Sequence, residues 1–261
     1  MSSEKRIRES DVTIRLTEVV QRFRLIRDRP DTLREAFTKM FRRRDEFQVF
    51  EALKKVSFQV RSGEVVGIIG RNGSGKSTIL KVIAGIYKPT SGSVQTRGQI
   101  AAMIELGTGF HPELTGRENI AISGMLLGHS KREMREWEPR IIEFAELGDF
   151  IDSPVKQYST GMYMRLAFAV ATEVRPDILL VDEILAVGDA PFQAKCMERM
   201  RQFTNSGKTI VFVSHDLNSM RNFCSRILLI HNGELIDDGP PDTVAAHYEE
   251  LVLRPVSVVR S

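Results

Sequence analysis

Residues 65–78 read Val65-Val66-Gly67-Ile68-Ile69-Gly70-Arg71-Asn72-Gly73-Ser74-Gly75-Lys76-Ser77-Thr78. The first five make a short apolar run of the kind found in strands buried on both faces. From Gly70 the stretch fits G-x-x-x-x-G-K-[ST], and the residues after it predict a helix that ends at Gly85. Strand, loop and helix in that order are the context in which the pattern is a phosphate-binding loop rather than a chance Gly-rich turn. Gly70, Gly73 and Gly75 let the backbone curl with its N–H groups inward, and Asn72, Ser74 and Thr78 complete the candidate loop. The helix beginning near Lys76 adds the positive end of its dipole. In such a loop the lysine, here Lys76, reaches the β- and γ-phosphates, and the hydroxyl, here Ser77, ligates Mg²⁺.

A phosphate loop of this kind works with a carboxylate near the metal. Ile178-Leu179-Leu180-Val181-Asp182 is an apolar run that ends in Asp, and Glu183 follows at once. A second carboxylate beside the metal-linked one can orient and polarise an attacking water. The plain alternative, an acidic pair that merely opens a loop, loses ground once the phosphate loop is present. His215 follows the run Ile210-Val211-Phe212-Val213-Ser214, at a strand end where a γ-phosphate sensor could lie.

Outward from these two runs the chain alternates strands and helices. Val12, Ile14 and Leu16 alternate with polar residues, as do Val56, Phe58 and Val60 ahead of a turn at 62–64. Residues 93–96 and 100–104 are expected as strands around Arg97-Gly98, and 116–175 as mostly helical, with loops at Gly128 and over 148–157. Residues 178–181, 210–213 and 227–230 are short apolar runs, each followed by polar residues, as buried parallel strands are. A helix over 243–253 closes the series, and there is no internal repeat.

Composition limits the alternatives. With 42% hydrophobic and 27% charged residues in 261, the chain is a folding one, long enough for a large core. It has no apolar run of about 18 residues, so no span is expected, and the charged start Met1–Ser10 lacks the apolar core of a secretory signal. Two cysteines without CxxC spacing exclude a disulfide framework and a cysteine zinc site, which points to a reducing, cytoplasmic setting.

The net charge of +3 is unevenly spread. Within 22–44, nine basic residues stand against three acidic ones. Leu33, Ala36, Phe37, Met40 and Phe41 fall at helical spacing, with Arg34, Lys39, Arg42 and Arg43 mostly on the other side. Thr32 and Glu35 form a capping box after Pro30, so a short basic amphipathic helix is expected over 31–45. Such a face meets phosphate, an anionic membrane surface or an acidic partner; otherwise it is simply solvated.

Taken together, the motifs resemble the nucleotide-binding subunit of an ABC transporter. The order is phosphate loop, helical insertion, a Ser-Gly motif, the acidic strand end with Glu183, then Ser214-His215-Asp216. Tyr158-Ser159-Thr160-Gly161-Met162 stands where that family has its LSGGQ signature, and Asp189 in Leu185–Asp189 resembles the D-loop aspartate. The resemblance implies a P-loop NTPase of the ABC ATPase fold: an α/β mixed-sheet core, a helical subdomain over 106–175 and an N-terminal antiparallel β part. It implies one such domain over 1–261, with the basic insert 31–45 similar to a gate helix and a C-terminal helix and tail over 240–261. Phe23 lies where the family's aromatic residue stacks on adenine, with a core phenylalanine as the other reading.

Two departures narrow the likeness. The signature reads YSTGM, and the Q-loop lacks its glutamine, leaving Glu105 as the nearest candidate for that role at the metal. With the stretches over 105–119, 158–171 and 182–196, these resemble exporters of O-antigen and wall teichoic acid (Wzt- and TagH-like subunits). Some of those carry a C-terminal carbohydrate-binding domain; with the sequence ending at Ser261, none is expected here.

The resemblance implies ATP and Mg²⁺ as ligands and a homodimer in which each phosphate loop faces the partner's signature. Ser159, Gly161, Met162 and Asp189 would then act in trans, on the nucleotide held by the other copy. Glu183 and His215 would serve catalysis, and Ser77 and Asp182 the metal. A separate polytopic transmembrane subunit would carry lipid-linked polysaccharide, with this chain peripheral at the cytoplasmic face and no nucleic acid involved. Three rivals stay open on the sequence: a soluble ATPase of this class acting on nucleic acid or ribosomes, an ATPase of this class for a different cargo, and a non-enzymatic regulator.

Overall fold

The structure, a computed structural model, describes residues 11–26, 47–105, 107, 109–182, 188–214 and 216–253. Two sheets enclose one helix, and further helices cover the outer face of the larger sheet. The smaller sheet is antiparallel and contains β1 (Val12–Ile26), β2 (Phe47–Arg61) and β4 (Ser91–Thr96), in the order β2-β1-β4. The larger has β3 (Val65–Ile69), β5 (Ile100–Ala102), β6 (Ile178–Asp182), β7 (Thr209–Val213), β8 (Arg226–His231) and β9 (Glu234–Gly239). Its order is β5-β6-β7-β3-β8-β9, parallel except for the antiparallel β9.

The short apolar runs are buried on both faces because each face has its own cover. Val66, Ile68, Leu180, Val211, Val213 and Leu228 pack toward α1 (Lys76–Ile83) and the β1–β2 sheet, against Ile79, Leu80, Leu53 and Val56. Val65, Ile69, Leu179, Val181, Ile210 and Phe212 turn the other way. There they meet α4 (Thr160–Glu173) through Leu166 and Phe168, and α5 (Ala190–Asn205) through Phe192, Cys196, Met200 and Phe203. This two-sided burial is why the strands read as continuous apolar runs instead of alternating ones. Phe144 on α3 (Lys131–Ala145) stacks on Phe168, centroids 5.8 Å apart, and meets Phe192 edge-on at 5.6 Å. The helical subdomain thus shares the core of the sheet.

The helices start where side chains can take up the free N–H groups of a first turn. Thr115 and Glu118 form a capping box for α2 (Gly116–Leu126), and Ser130 and Glu133 do so for α3. Ser159 caps α4 and Asp189 caps α5. The chain continues through α6 (Leu217–Phe223) and α7 (Pro241–Leu253).

Most expected elements are present, with differences that have physical reasons. The strand expected over 100–104 ends at Ala102 and tightens into a 3₁₀ turn at Met103–Glu105. The closing helix starts two residues earlier than expected, at Pro241, since a proline at the first helical position sacrifices no hydrogen bond. Three elements go beyond the expectation: α5, α6 and the edge strand β9. The β1–β2 pairing runs from Val12–Arg61 to Ile26–Phe47, so residues 27–46 join the far end of this hairpin. The expected basic helix 31–45 lies outside the described residues, as does the tail beyond Leu253. No helix among the described residues is long and apolar enough to cross a membrane.

Candidate nucleotide site

At the carboxyl ends of β3 and β6 a cavity of about 590 Å³ opens toward the β1–β2 hairpin. It is lined by Phe23, Phe50 and Ala52 of the hairpin, Asn72, Gly73, Gly75, Lys76, Ser77 and Thr78 of the phosphate loop, Ile104 and Asp182. Ligand crevices in open α/β sheets lie at this end of the strands.

The loop's glycines have specific duties. A side chain on Gly70 would stand 2.1 Å from the Ile230 carbonyl oxygen, so the loop can leave β3 only without one. Gly75 has φ 112°, and a Cβ there would stand 2.7 Å from the Ala52 carbonyl oxygen, which presses the hairpin onto the loop. Gly75 is also the N-cap of α1, and no side chain caps that helix. The first-turn N–H groups therefore keep their demand for an acceptor, beside the positive end of the helix dipole. The Lys76 ammonium is buried and donates to the carbonyls of Gly70 at 2.8 Å and Arg71 at 3.1 Å. A cation held at the mouth of a ring of backbone donors suits an anion with several charged oxygens.

Asp182 ends β6, is half-buried, and lines the same cavity as the Ser77 hydroxyl. A hydroxyl and a carboxylate on one wall are the oxygen donors that a magnesium ion takes from protein while keeping its other positions for water and phosphate. The donor set therefore fits magnesium. Among the described residues there is no group of three or more His, Cys, Asp or Glu that could hold a metal ion.

Of the sequence-predicted residues, the structure gathers Phe23, Asn72, Gly73, Gly75, Lys76, Ser77, Thr78 and Asp182 on this cavity. Gly70 and Ser74 lie just behind the lining, with the Ser74 hydroxyl buried. Phe23 is half-buried, and Tyr87 braces its ring edge-on at 5.4 Å. Glu105 ends the 3₁₀ turn; its side chain lies outside the described residues, and the neighbouring Ile104 lines the cavity. Glu183 and His215 also lie outside the described residues. The strands that lead to them end side by side, with Asp182 in register with Val213.

The remaining candidates, Ser159, Gly161, Met162 and Asp189, are not on the cavity. The expected Ser-Gly loop is itself the first turn of α4: Ser159 is the N-cap, and its hydroxyl accepts from the Met162 N–H at 3.2 Å. Gly161 and Met162 follow inside the helix. Asp189, an exposed N-cap, accepts from Arg165 of α4 at 2.8 Å. Arg165 also donates to Glu146 at 2.9 Å and lies over the Phe192 ring at 4.7 Å. A phosphate-cradling surface and a second, exposed helix N-terminus are thus borne on separate parts of one chain. Sequence reasoning missed Phe50, Ala52 and Ile104; for Phe50 the signal is the rung that sets it opposite Phe23, which only the folded hairpin supplies.

Comparison with known proteins gives consistent likenesses. The family model described as ABC transporter matches residues 53–186. The O-antigen export system ATP-binding protein RfbB of Myxococcus xanthus is 47% identical over 249 residues, which cover 94% of this chain and 57% of that protein. A protein of the same description from Klebsiella pneumoniae is 50% identical over 201 residues, 77% of this chain and 82% of its own length. The teichoic acids export ATP-binding protein TagH of Bacillus cereus is 40% identical over 240 residues, 92% of this chain and 43% of its own. The chain therefore spans only about half the length of some of these relatives. Among solved structures, a dimeric ATP-binding cassette in a post-hydrolysis state, bound to ADP and Pi, superposes with TM-score 0.70 at 26% identity. The match covers 87% of this chain and 98% of that one.

Proposed function

The chain belongs to the ABC transporter family, and from that premise we propose that it is the ATP-hydrolysing subunit of an exporter of lipid-linked polysaccharide, of O-antigen or teichoic acid type. The observation that carries this reading is the division of the machinery. The phosphate loop, Asp182 and Phe23 share one cavity, while Ser159 and Asp189 stand exposed elsewhere on the same chain. A complete site then needs two copies, each cavity closed by the partner's signature helix.

In that dimer the loop N–H groups and Lys76 bind the phosphates of ATP, and Phe23 takes its base. Ser77 and Asp182 would hold magnesium, which neutralises phosphate charge when bound. Glu183 orients the attacking water and His215 senses the γ-phosphate. Ser159, with Gly161 and Met162, brings the α4 N-terminus to the γ-phosphate of the partner's ATP, and Asp189 contributes from the α5 cap. ATP thereby joins the copies, and hydrolysis releases them.

The motion then passes to a separate membrane-spanning subunit, a reading supported by relatives named as ATP-binding proteins of export systems. The chain then sits peripherally at the cytoplasmic face, and the basic residues within 22–44 suit an anionic lipid surface or a diphosphate head group. Relatives named for O-antigen and teichoic acid export favour this cargo over the nucleic-acid or ribosome reading.

The test is Glu183→Gln. ATP binding should persist while turnover falls by about 10²–10⁴-fold, the usual loss with a positioned base. The variant should also accumulate as an ATP-bound dimer. Turnover near that of the unaltered protein would remove Glu183 from this role.

A further inference from the structure

Of the lining residues outside the motifs, Phe50 is the aromatic one. Phe50 of β2 is 48% exposed, a large apolar ring left half open beside a cavity that it lines. Strand geometry fixes where it faces. Phe50 is the register partner of Phe23, so both rings leave the hairpin on one face. The next rung, Arg22 with Glu51, carries an ion pair at 2.6 Å consistent with this register; a slip by one residue would put the two rings on opposite faces. Ala52, two residues further along β2 and about 7 Å away at the usual rise, is the residue whose carbonyl meets the loop at Gly75. Phosphates on the loop and an aromatic pair one such step away match the extent of a nucleotide lying along the hairpin.

We propose that Phe50 is a second aromatic contact for the base of the bound nucleotide, so that β1 and β2 each supply one ring. The inference rests on the cavity being the ATP site, as proposed above. Phe23, braced by Tyr87, gives a fixed face, and Phe50 loses its exposure when a flat base covers it. Two apolar faces favour the larger purine surface over a pyrimidine while leaving the triphosphate to the loop.

The experiment measures equilibrium binding of ATP, CTP and inorganic tripolyphosphate to the full chain and to Phe50→Ala, Phe50→Leu and Phe50→Trp variants. Removing one base-stacking ring should weaken ATP binding roughly tenfold in Phe50→Ala and Phe50→Leu, with tripolyphosphate affinity kept and the ATP-over-CTP preference narrowed. Phe50→Trp should bind ATP as the unaltered chain does, with its fluorescence quenched by ATP and not by tripolyphosphate. Phe50→Leu keeps the apolar bulk and gives the same reading if Phe50→Ala fails to fold. Unchanged ATP affinity in Phe50→Leu, or equal loss of ATP and tripolyphosphate, overturns the inference and leaves the ATP site standing. If Lys76→Ala weakened neither ATP nor tripolyphosphate binding, the ATP site itself would be overturned.

Discussion

Lys76 shows how much of a function can rest on one side chain. Its buried ammonium donates to the carbonyls of Gly70 and Arg71 and lines the cavity at the loop. Lys76→Ala should therefore weaken nucleotide binding itself, as read by titration with ATP. Unchanged affinity would sink the phosphate-loop assignment. The two cysteines make the opposite case. Burial pushes the thiols of Cys196 and Cys224 up to about 12. A thiol raised that far stays protonated at neutral pH, and the thiolate is the nucleophile. Neither should react with a thiol reagent at pH 8 in the native protein, and both should react once it is unfolded. Labelling in the native state at the rate of a free thiol would contradict the described packing.

At the scale of elements, the signature helix α4 separates stability from association. Its Ser159 cap is worth about 1 kcal/mol by the usual cost of losing such a residue. Ser159→Ala should lower stability by that much, leave nucleotide binding to the monomer intact, and impair the ATP-bound dimer. Weakened binding to the monomer would mean that the signature does not act in trans. Phe168, fully buried against Phe144 and Phe192, should behave otherwise: Phe168→Ala should cost about 3–5 kcal/mol in denaturant unfolding.

The same elements show what was legible in sequence. β3, β6, β7 and β8 were plain because a strand covered on both faces must be apolar throughout. β9 was hidden because Glu234, Asp237 and Asp238 look like loop residues; on an edge strand they face solvent or pair, as Asp238 does with Arg226 at 2.6 Å. The phosphate loop could be read because its chemistry is local. Phe50 could not, because its role depends on a rung across the hairpin that joins distant residues. The tie between Arg165 and Asp189 escaped for the same reason.

At the scale of the whole molecule, the basic segment 31–45 lies outside the described residues, and what bears on its role is its place in the chain. It is attached between Ile26 and Phe47, at the end of the hairpin that carries Phe23 and Phe50. Reversing Arg42, Arg43 and Arg44 to Glu should leave folding and ATP binding near normal, because exposed charge changes usually move stability by about 0.5 kcal/mol or less. The same change should impair polymer display in cells, since about 1 kcal/mol per basic residue near an anionic membrane turns from attraction to repulsion. Normal display would reduce the segment to a solvated surface.

The central claim is that each ATP is turned over between two copies, with the phosphate loop from one and the signature from the other. Mixing tests it most directly. Lys76→Ala has an intact signature and a disabled loop; a Ser159→Arg variant has the reverse. Each alone should be nearly inactive in ATP turnover. In a mixed dimer, the intact loop of one copy meets the intact signature of the other, so one sound site is rebuilt. The mixture should therefore recover a clear fraction of the turnover of the unaltered protein. A mixture as inactive as its two components, while the unaltered chain turns over ATP, would contradict the claim.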